Sequence, residues 1–306
     1  MIYTCTMNPA IDYRMEFNDV VLGELNRTTY NKFSAGGKGV NVSIVLSNLG
    51  SKTIALGFMG GFTGVFLEDY LLNTYQLPSR FTKIKDTTRI NVKLSENSRE
   101  TELNAKAPNV TKEEFDQLLS SLRNLAKDDV LVLAGSTVKL EEKPYDVIAK
   151  LCYDQHVPFV LDVEKEAMIS ALKYQPLLIK PNLFELETIF NVSIKDGETL
   201  IKYAKELLKK GAQNIIVSLG KDGSYFINKE IVYRALPIKG NAKNPVGAGD
   251  SMVAGFLHEY EQSNDLKEAY ITAVAAGTAS AFSYELATKE EIDKIRKKLE
   301  IIEVRE

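Results

Sequence analysis

In the stretch "NPVGAGDSMVAGF", residues 244–256, two glycines bracket Ala248, an acid follows at once, and an apolar helical run begins. Asp250 alone suits an ordinary helix cap, since Asp side chains accept from first-turn amides. The glycines ask for more. Glycine costs roughly 1 kcal/mol relative to alanine inside a helix, so Gly247 and Gly249 give up stability for backbone freedom. Such a turn points several N–H groups at one place at the positive end of a helix dipole, where anionic oxygens bind. An acid there repels an anion, so Asp250 makes more sense as a base taking the proton of an attacking hydroxyl. A capped helix with a flexible entry is the competing account, and the segment needs support from elsewhere in the chain.

Support comes from several places. "IKPNLFELE" (179–187) sets Asn182 and Glu185 on one face at a helix start, as oxygen ligands for Mg²⁺ or simply as a capping box. "SLGKDGS" (218–224) brings Gly220 and Gly223 to a strand end, either as a turn or as backbone donors under a nucleotide. "AGGKGVNV" (35–42) clusters Gly36, Gly37 and Gly39 around Lys38 but lacks P-loop spacing, and "GFMGGFTG" (57–64) reads as tight turns after a strand.

Composition narrows the class. The chain has 306 residues, 44% hydrophobic and 26% charged, with formal net charge −3, which describes a soluble globular protein rather than a general nucleic-acid binder. Cys5 and Cys152 are too few for a disulfide framework or a cysteine zinc site, and the N-terminus lacks a secretory signature, so a cytoplasmic protein is expected. His156 and His258 fall in no recognisable site.

Short β-rich runs ("IYTCTM", "TIALGF", "DVLVLAG", "VPFVLDV", "PLLIKP", "NIIVSLG", "SYFINKEIVYRAL") alternate with segments of helical spacing. That rhythm predicts an α/β fold with a mostly parallel sheet between helices, and ligands beyond the carboxyl ends of its strands. Residues 12–33 and 88–104 break the rhythm with polar–apolar alternation. "RINVKL" and "TELN" across "SENSRE" read as a hairpin, and together these segments predict a small half-exposed second sheet, a lid or a dimer contact.

Taken together, "AGGKGVNVSIVLSNLG" (35–50) and "NPVGAGDSMVAGF" resemble the two signatures of the ribokinase-like, or PfkB, carbohydrate kinases, with "NPAID" (8–12), "PNLFELE" and "SLGKDGS" in the family's order over essentially the whole chain. The resemblance implies a single three-layer αβα kinase domain over residues 1–306 with a discontinuous β-lid at about 12–33 and 88–104. It implies ATP and Mg²⁺ as cofactors and a homodimer formed through the lid. "TMNPAIDY", "LNR" (25–27), "TRINVKL" (88–94), "TELN" (101–104) and "AGS" (134–136) resemble the ketohexose-phosphate branch, implying fructose 1-phosphate as substrate, with tagatose 6-phosphate as the alternative. A non-catalytic sugar-phosphate sensor on the same scaffold is a third reading, disfavoured by the intact glycine turn.

The family's roles map onto matching positions. Asp250 would be the base, with Gly247, Ala248 and Gly249 as the anion hole. Asp12, Gly37 and Asn41 would bind sugar hydroxyls, and Arg27, Lys38 and Arg89, with Lys93 and Ser136, would hold the phosphate already on the sugar. Lys180, Asn182, Ser218, Gly220 and Gly223 would face ATP, and Asn182 with Glu185 would organise Mg²⁺. Pro245 departs from the family's usual threonine, and proline fixes φ and removes an N–H, so the loop geometry there is expected to differ.

Overall fold

A computed structural model describes residues 1–96 and 99–304. The strands are β1 (Ile2–Thr6), β2 (Ala10–Phe17), β3 (Tyr30–Gly36), β4 (Thr53–Gly60), β5 (Thr82–Ile84), β6 (Arg89–Glu96), β7 (Arg99–Leu103), β8 (Val130–Gly135), β9 (Phe159–Val163), β10 (Leu178–Ile179), β11 (Asn214–Ser218), β12 (Ser224–Ile227), β13 (Val232–Ala235) and β14 (Ile301–Glu303). The helices are α1 (Lys38–Leu49), α2 (Gly61–Tyr75), α3 (Lys112–Leu122), α4 (Pro144–Gln155), α5 (Lys165–Ala171), α6 (Leu183–Phe190), α7 (Gly197–Lys209), α8 (Ala248–Ser263), α9 (Leu266–Phe282) and α10 (Lys289–Arg296).

Among the described residues the main sheet runs β14-β13-β12-β11-β10-β9-β8-β1-β4-β5. It is parallel from β11 to β5, and β12, β13 and β14 add an antiparallel edge. Its central strands are apolar on both faces because both are covered. Leu131, Leu133, Phe159 and Leu161 face a core with α3, α4 and α7, while Val132, Ala134 and Val160 face a second core with α1, α8 and α9. This is the expected mixed α/β architecture, with a large, mostly parallel sheet flanked by helices. "SYFINKEIVYRAL" resolves into the β12–β13 hairpin, turned by Asn228, whose side-chain oxygen accepts from the amides of Glu230 and Ile231.

Residues 12–33 and 88–104 do build a separate four-stranded sheet, β3-β2-β6-β7. The β6–β7 pair is antiparallel as expected, although Asn97 and Ser98 of its turn lie outside the described residues. Register divides the sheet into two unlike faces, since successive side chains alternate. Phe33, Tyr13, Val92 and Leu103 form one cross-strand row, and Ser34, Asp12 and Asn91 lie on the opposite face. "GFMGGFTG" carries β4 directly into α2, with Gly61 at φ +65° making the turn.

Candidate active site

At the carboxyl ends of the parallel strands lies a cavity of about 850 Å³ lined by every candidate catalytic, substrate, nucleotide and metal residue except Arg27 and Lys93. Arg27 is exposed in the loop between β2 and β3 and does not line it. Lys93 sits beneath, with its ammonium 3.3 Å from Asp12 Oδ2.

The glycine turn forms the start of α8. Gly247 holds φ +78° as the N-cap, a left-handed conformation that a side chain disfavours, and a Cβ there would also fall 2.6 Å from Leu286 Cδ2. Pro245 does not break the turn. Its carbonyl accepts from the Ala248 amide at 3.2 Å, so that amide is already engaged and those of Gly249 and Asp250 are the first-turn donors without an intrahelical acceptor.

Asp250 is 5% exposed, and Asn41 Nδ2 of α1 donates to its Oδ2 at 2.8 Å. Burial and the nearby Asp162 carboxylate push its pKa up to about 6, against the lowering pull of Asn41, Lys38 and Lys180. A carboxylate poised there is ionised at neutral pH yet basic enough to take a proton. The resemblance puts Asn41 and Lys38 on the sugar, whereas the structure gives both another partner. Asn41 holds Asp250, and Lys38 Nζ donates to Asp162 Oδ1 at 2.9 Å.

One end of the cavity is polar. Asp12 accepts from Asn91 Nδ2 at 2.9 Å, and its carboxylate lies so close to Gly36 that a Cβ there would come within 2.7 Å of it. Arg89 donates to the carbonyls of Asn8 and Ala105, both at 3.3 Å, which orients the guanidinium while its buried Nε stays unpartnered. Ser136 accepts from Asn8 Nδ2 at 3.1 Å. Thr6 Oγ1 and Asn8 Oδ1 are buried without a hydrogen-bond partner, so this end is equipped for a polar ligand that the protein alone does not satisfy.

The other end is a slot walled by Leu236, Ile238, Val274, Ala281 and Phe282, with Ser218, Gly220 and Gly223 along its edge. Between the ends, Asn182 and Glu185 form a complete capping box, with Asn182 Oδ1 accepting from the Glu185 amide at 2.8 Å and Glu185 Oε2 from the Asn182 amide at 2.9 Å. The capping-box reading is the one observed, and it leaves Glu185 Oε1 outside the box on a pair that lines the cavity. Among the described residues no cluster of three His, Cys, Asp or Glu is placed to cage a metal. Magnesium keeps several waters and takes one or two carboxylates plus substrate phosphates, so this sparse donor set fits it.

Sequence reasoning missed Asp162, Asn8, Thr6 and the apolar slot. "VPFVLDV" read as a buried strand, and its single acid is a weak signal. The slot's wall comes from the segment after β13 and from α9, which only the fold brings together.

Residues 5–293 match the profile of the pfkB family carbohydrate kinases, and this chain belongs to that family. It is 41% identical to the 1-phosphofructokinase of Borreliella burgdorferi, covering 96% of each chain. It is 33% identical to the tagatose-6-phosphate kinase of Staphylococcus epidermidis, over 99% of this chain and 100% of that one. Escherichia coli phosphofructokinase-2, solved in complex with fructose-6-phosphate, superposes with a TM-score of 0.90 at 26% identity, covering 97% of this chain and 98% of that one. The chain is a sugar kinase, a phosphotransferase with an alcohol acceptor.

Proposed function

We propose that the protein is a cytoplasmic, ATP- and Mg²⁺-dependent kinase that converts D-fructose 1-phosphate to fructose 1,6-bisphosphate. The observation that carries this reading is Asp250, buried at the first turn of α8 between a polar cavity end and an apolar slot. The polar end takes the sugar phosphate, with Asp12 and Gly37 toward its hydroxyls and Arg89 and Ser136 toward its phosphate. The slot takes the adenine, with Ser218, Gly220 and Gly223 along the nucleotide. Asp250 accepts the proton of the sugar's primary hydroxyl as that oxygen bonds the γ-phosphorus and the bond to the bridging oxygen of the departing diphosphate breaks. The amides of Gly249 and Asp250 and the ammonium groups of Lys38 and Lys180 meet the charge on the transferring group. Mg²⁺, when bound, would be held through Glu185 and Asn182, and it supplies charge neutralisation on the phosphates.

Fructose 1-phosphate is preferred over tagatose 6-phosphate because identity is higher to the 1-phosphofructokinase, 41% against 33%. C1 and C6 of a ketofuranose are both exocyclic, so one phosphate clamp and one base accept either end of the sugar. Turnover of fructose 1-phosphate, tagatose 6-phosphate and fructose 6-phosphate with MgATP, in parallel, tests the assignment. The highest kcat/KM is expected for fructose 1-phosphate; a higher value for tagatose 6-phosphate would reassign the substrate and leave the mechanism. Binding of all three without turnover would point to a sensor.

The second sheet would act as a lid and as the contact of a homodimer. Its polar face carries Asp12 to the cavity, while the opposite face exposes Phe33, Ile90 and Leu103. Tyr13 stacks on Phe33 at 4.2 Å, and Phe66 of α2 extends the aromatic row, which leaves a broad apolar surface to cover. Leu103→Glu, on an exposed edge position, is expected to shift the protein toward monomer in sedimentation velocity at unchanged helix content. An unchanged sedimentation coefficient would place any dimer contact elsewhere. Among the described residues no helix is long and apolar enough to cross a membrane.

A further inference from the structure

Asp162, in β9, is 1% exposed and carries two cations on one carboxylate. Lys38 Nζ donates to Oδ1 at 2.9 Å, and Lys180 Nζ lies 3.4 Å from Oδ2. The lysines arrive from different elements, Lys38 opening α1 and Lys180 following β10. The Lys180 ammonium lies at the start of α8, where a Cβ on Gly249 would fall 2.8 Å from its Nζ, and the charge of Lys38 also acts on Asp250 of that first turn. A buried carboxylate is retained only when paired, and this one has two ammonium groups within 3.4 Å of its oxygens.

The charged neighbours of Asp250 come from three directions: Asp162 in β9, Lys38 in α1 and Lys180 after β10, with Glu185 of α6 facing Lys38 in turn. After Asp162, Asp250 is the carboxylate that acts most strongly on Lys38, and Lys180 acts on Asp250 as well. A base held by two ammonium groups loses its affinity for a proton.

We propose that Asp162 is a positioning residue, which fixes Lys38 and Lys180 at the head of α8 to meet the transferring phosphoryl group and keeps both off the base Asp250. This deepens the kinase reading given above and rests on it. The arrangement supplies preorganised positive charge where it is needed, with no rearrangement at the moment of transfer. Burial resists the charge on Asp162, yet Lys180 and Lys38 hold its pKa below the usual carboxylate value, so it is the anion that does this.

The test is Asp162→Asn, which keeps shape and removes charge. With the sugar phosphate that the wild type turns over, kcat is expected to fall about 100-fold, as a displaced catalytic group commonly costs, while sugar-phosphate KM changes little. Carbon-13 NMR of the aspartate carboxyls, followed from pH 4 to 9 in wild type and variant (roughly the span in which a raised carboxylate titrates), reads Asp250 without any turnover. Its titration is expected to move to lower pH in the variant, because the like charge is gone and the lysines turn to Asp250. A folded variant with wild-type kcat, or with an unmoved Asp250 titration, would overturn the proposal. If Asp162→Asn does not fold, Lys180→Met replaces it: kcat falls and the Asp250 titration rises, and no change in either would again refute it. A wild type inactive on every sugar phosphate defeats the functional reading alone, since the carboxyl titration is still measured.

Discussion

Asp250→Asn is expected to lower kcat by about a thousandfold and, at the same time, to raise the melting temperature. General base catalysis contributes typically 10²–10⁴-fold, and among the described residues no other carboxylate is positioned at the glycine turn to replace it, Asp162 being committed to two lysines. The stability change follows from proton linkage. The folded state raises the Asp250 pKa from 3.8 to about 6, so it binds this proton more tightly than the unfolded chain does. The cost of ionising it is absent below the ordinary carboxylate pKa, grows as pH rises toward about 6, and is constant above that. At neutral pH it amounts to about 2–3 kcal/mol, with the attraction of Lys38 and Lys180 already included in the net shift. Asparagine never ionises and can keep the shape, so the variant sheds that cost. Calorimetry at pH 7.5 should show a melting temperature several degrees above wild type, a gap that narrows at pH 5 (roughly the upper edge of the ordinary carboxylate range). In the wild type the same titration should produce an acid limb in kcat/KM near about 6. Activity of the variant within about tenfold of wild type would remove Asp250 from the role of base.

Arg89→Ala is expected to raise sugar-phosphate KM by about 10- to 100-fold with a much smaller change in kcat. A hydrogen bond to a charged group contributes about 1.5–3 kcal/mol, which is that range when converted to affinity. The clamp is remote from the transferring group, so it binds ground state and transition state alike, and uniform binding appears in KM. Its two backbone acceptors, the carbonyls of Asn8 and Ala105, hold the guanidinium in place before any sugar arrives. Lysine should not restore the loss, because a point charge cannot reproduce the planar fork. Steady-state kinetics with the sugar phosphate varied at saturating MgATP would decide it, and an unchanged KM would move the clamp away from Arg89. Arg27, exposed outside the cavity, has no comparable scaffold.

Much of this site was legible locally. The turn of "VGAGD" needs a left-handed residue before a helix, and Gly247 at φ +78° is that residue. The Asn182–Glu185 box is a matter of spacing, as are the β6–β7 pairing and the alternation that builds the main sheet. These features depend on backbone preferences and on neighbours a few residues away, which a sequence encodes directly. Which charges meet is another matter. Lys38 finds Asp162 across 124 positions of sequence, and Asn41 finds Asp250 across 209. Neither pairing has a periodicity or a cap to announce it, and the same lysine reads equally well as a phosphate ligand. The sequence by itself determined the strand–helix order and the glycine turn, and it singled out Asp250 as the candidate base. Only the tertiary structure decided that a buried acid in an apolar strand sits under that base and holds two lysines beside it, because electrostatic partners are chosen by distance in space, after the sheet has closed.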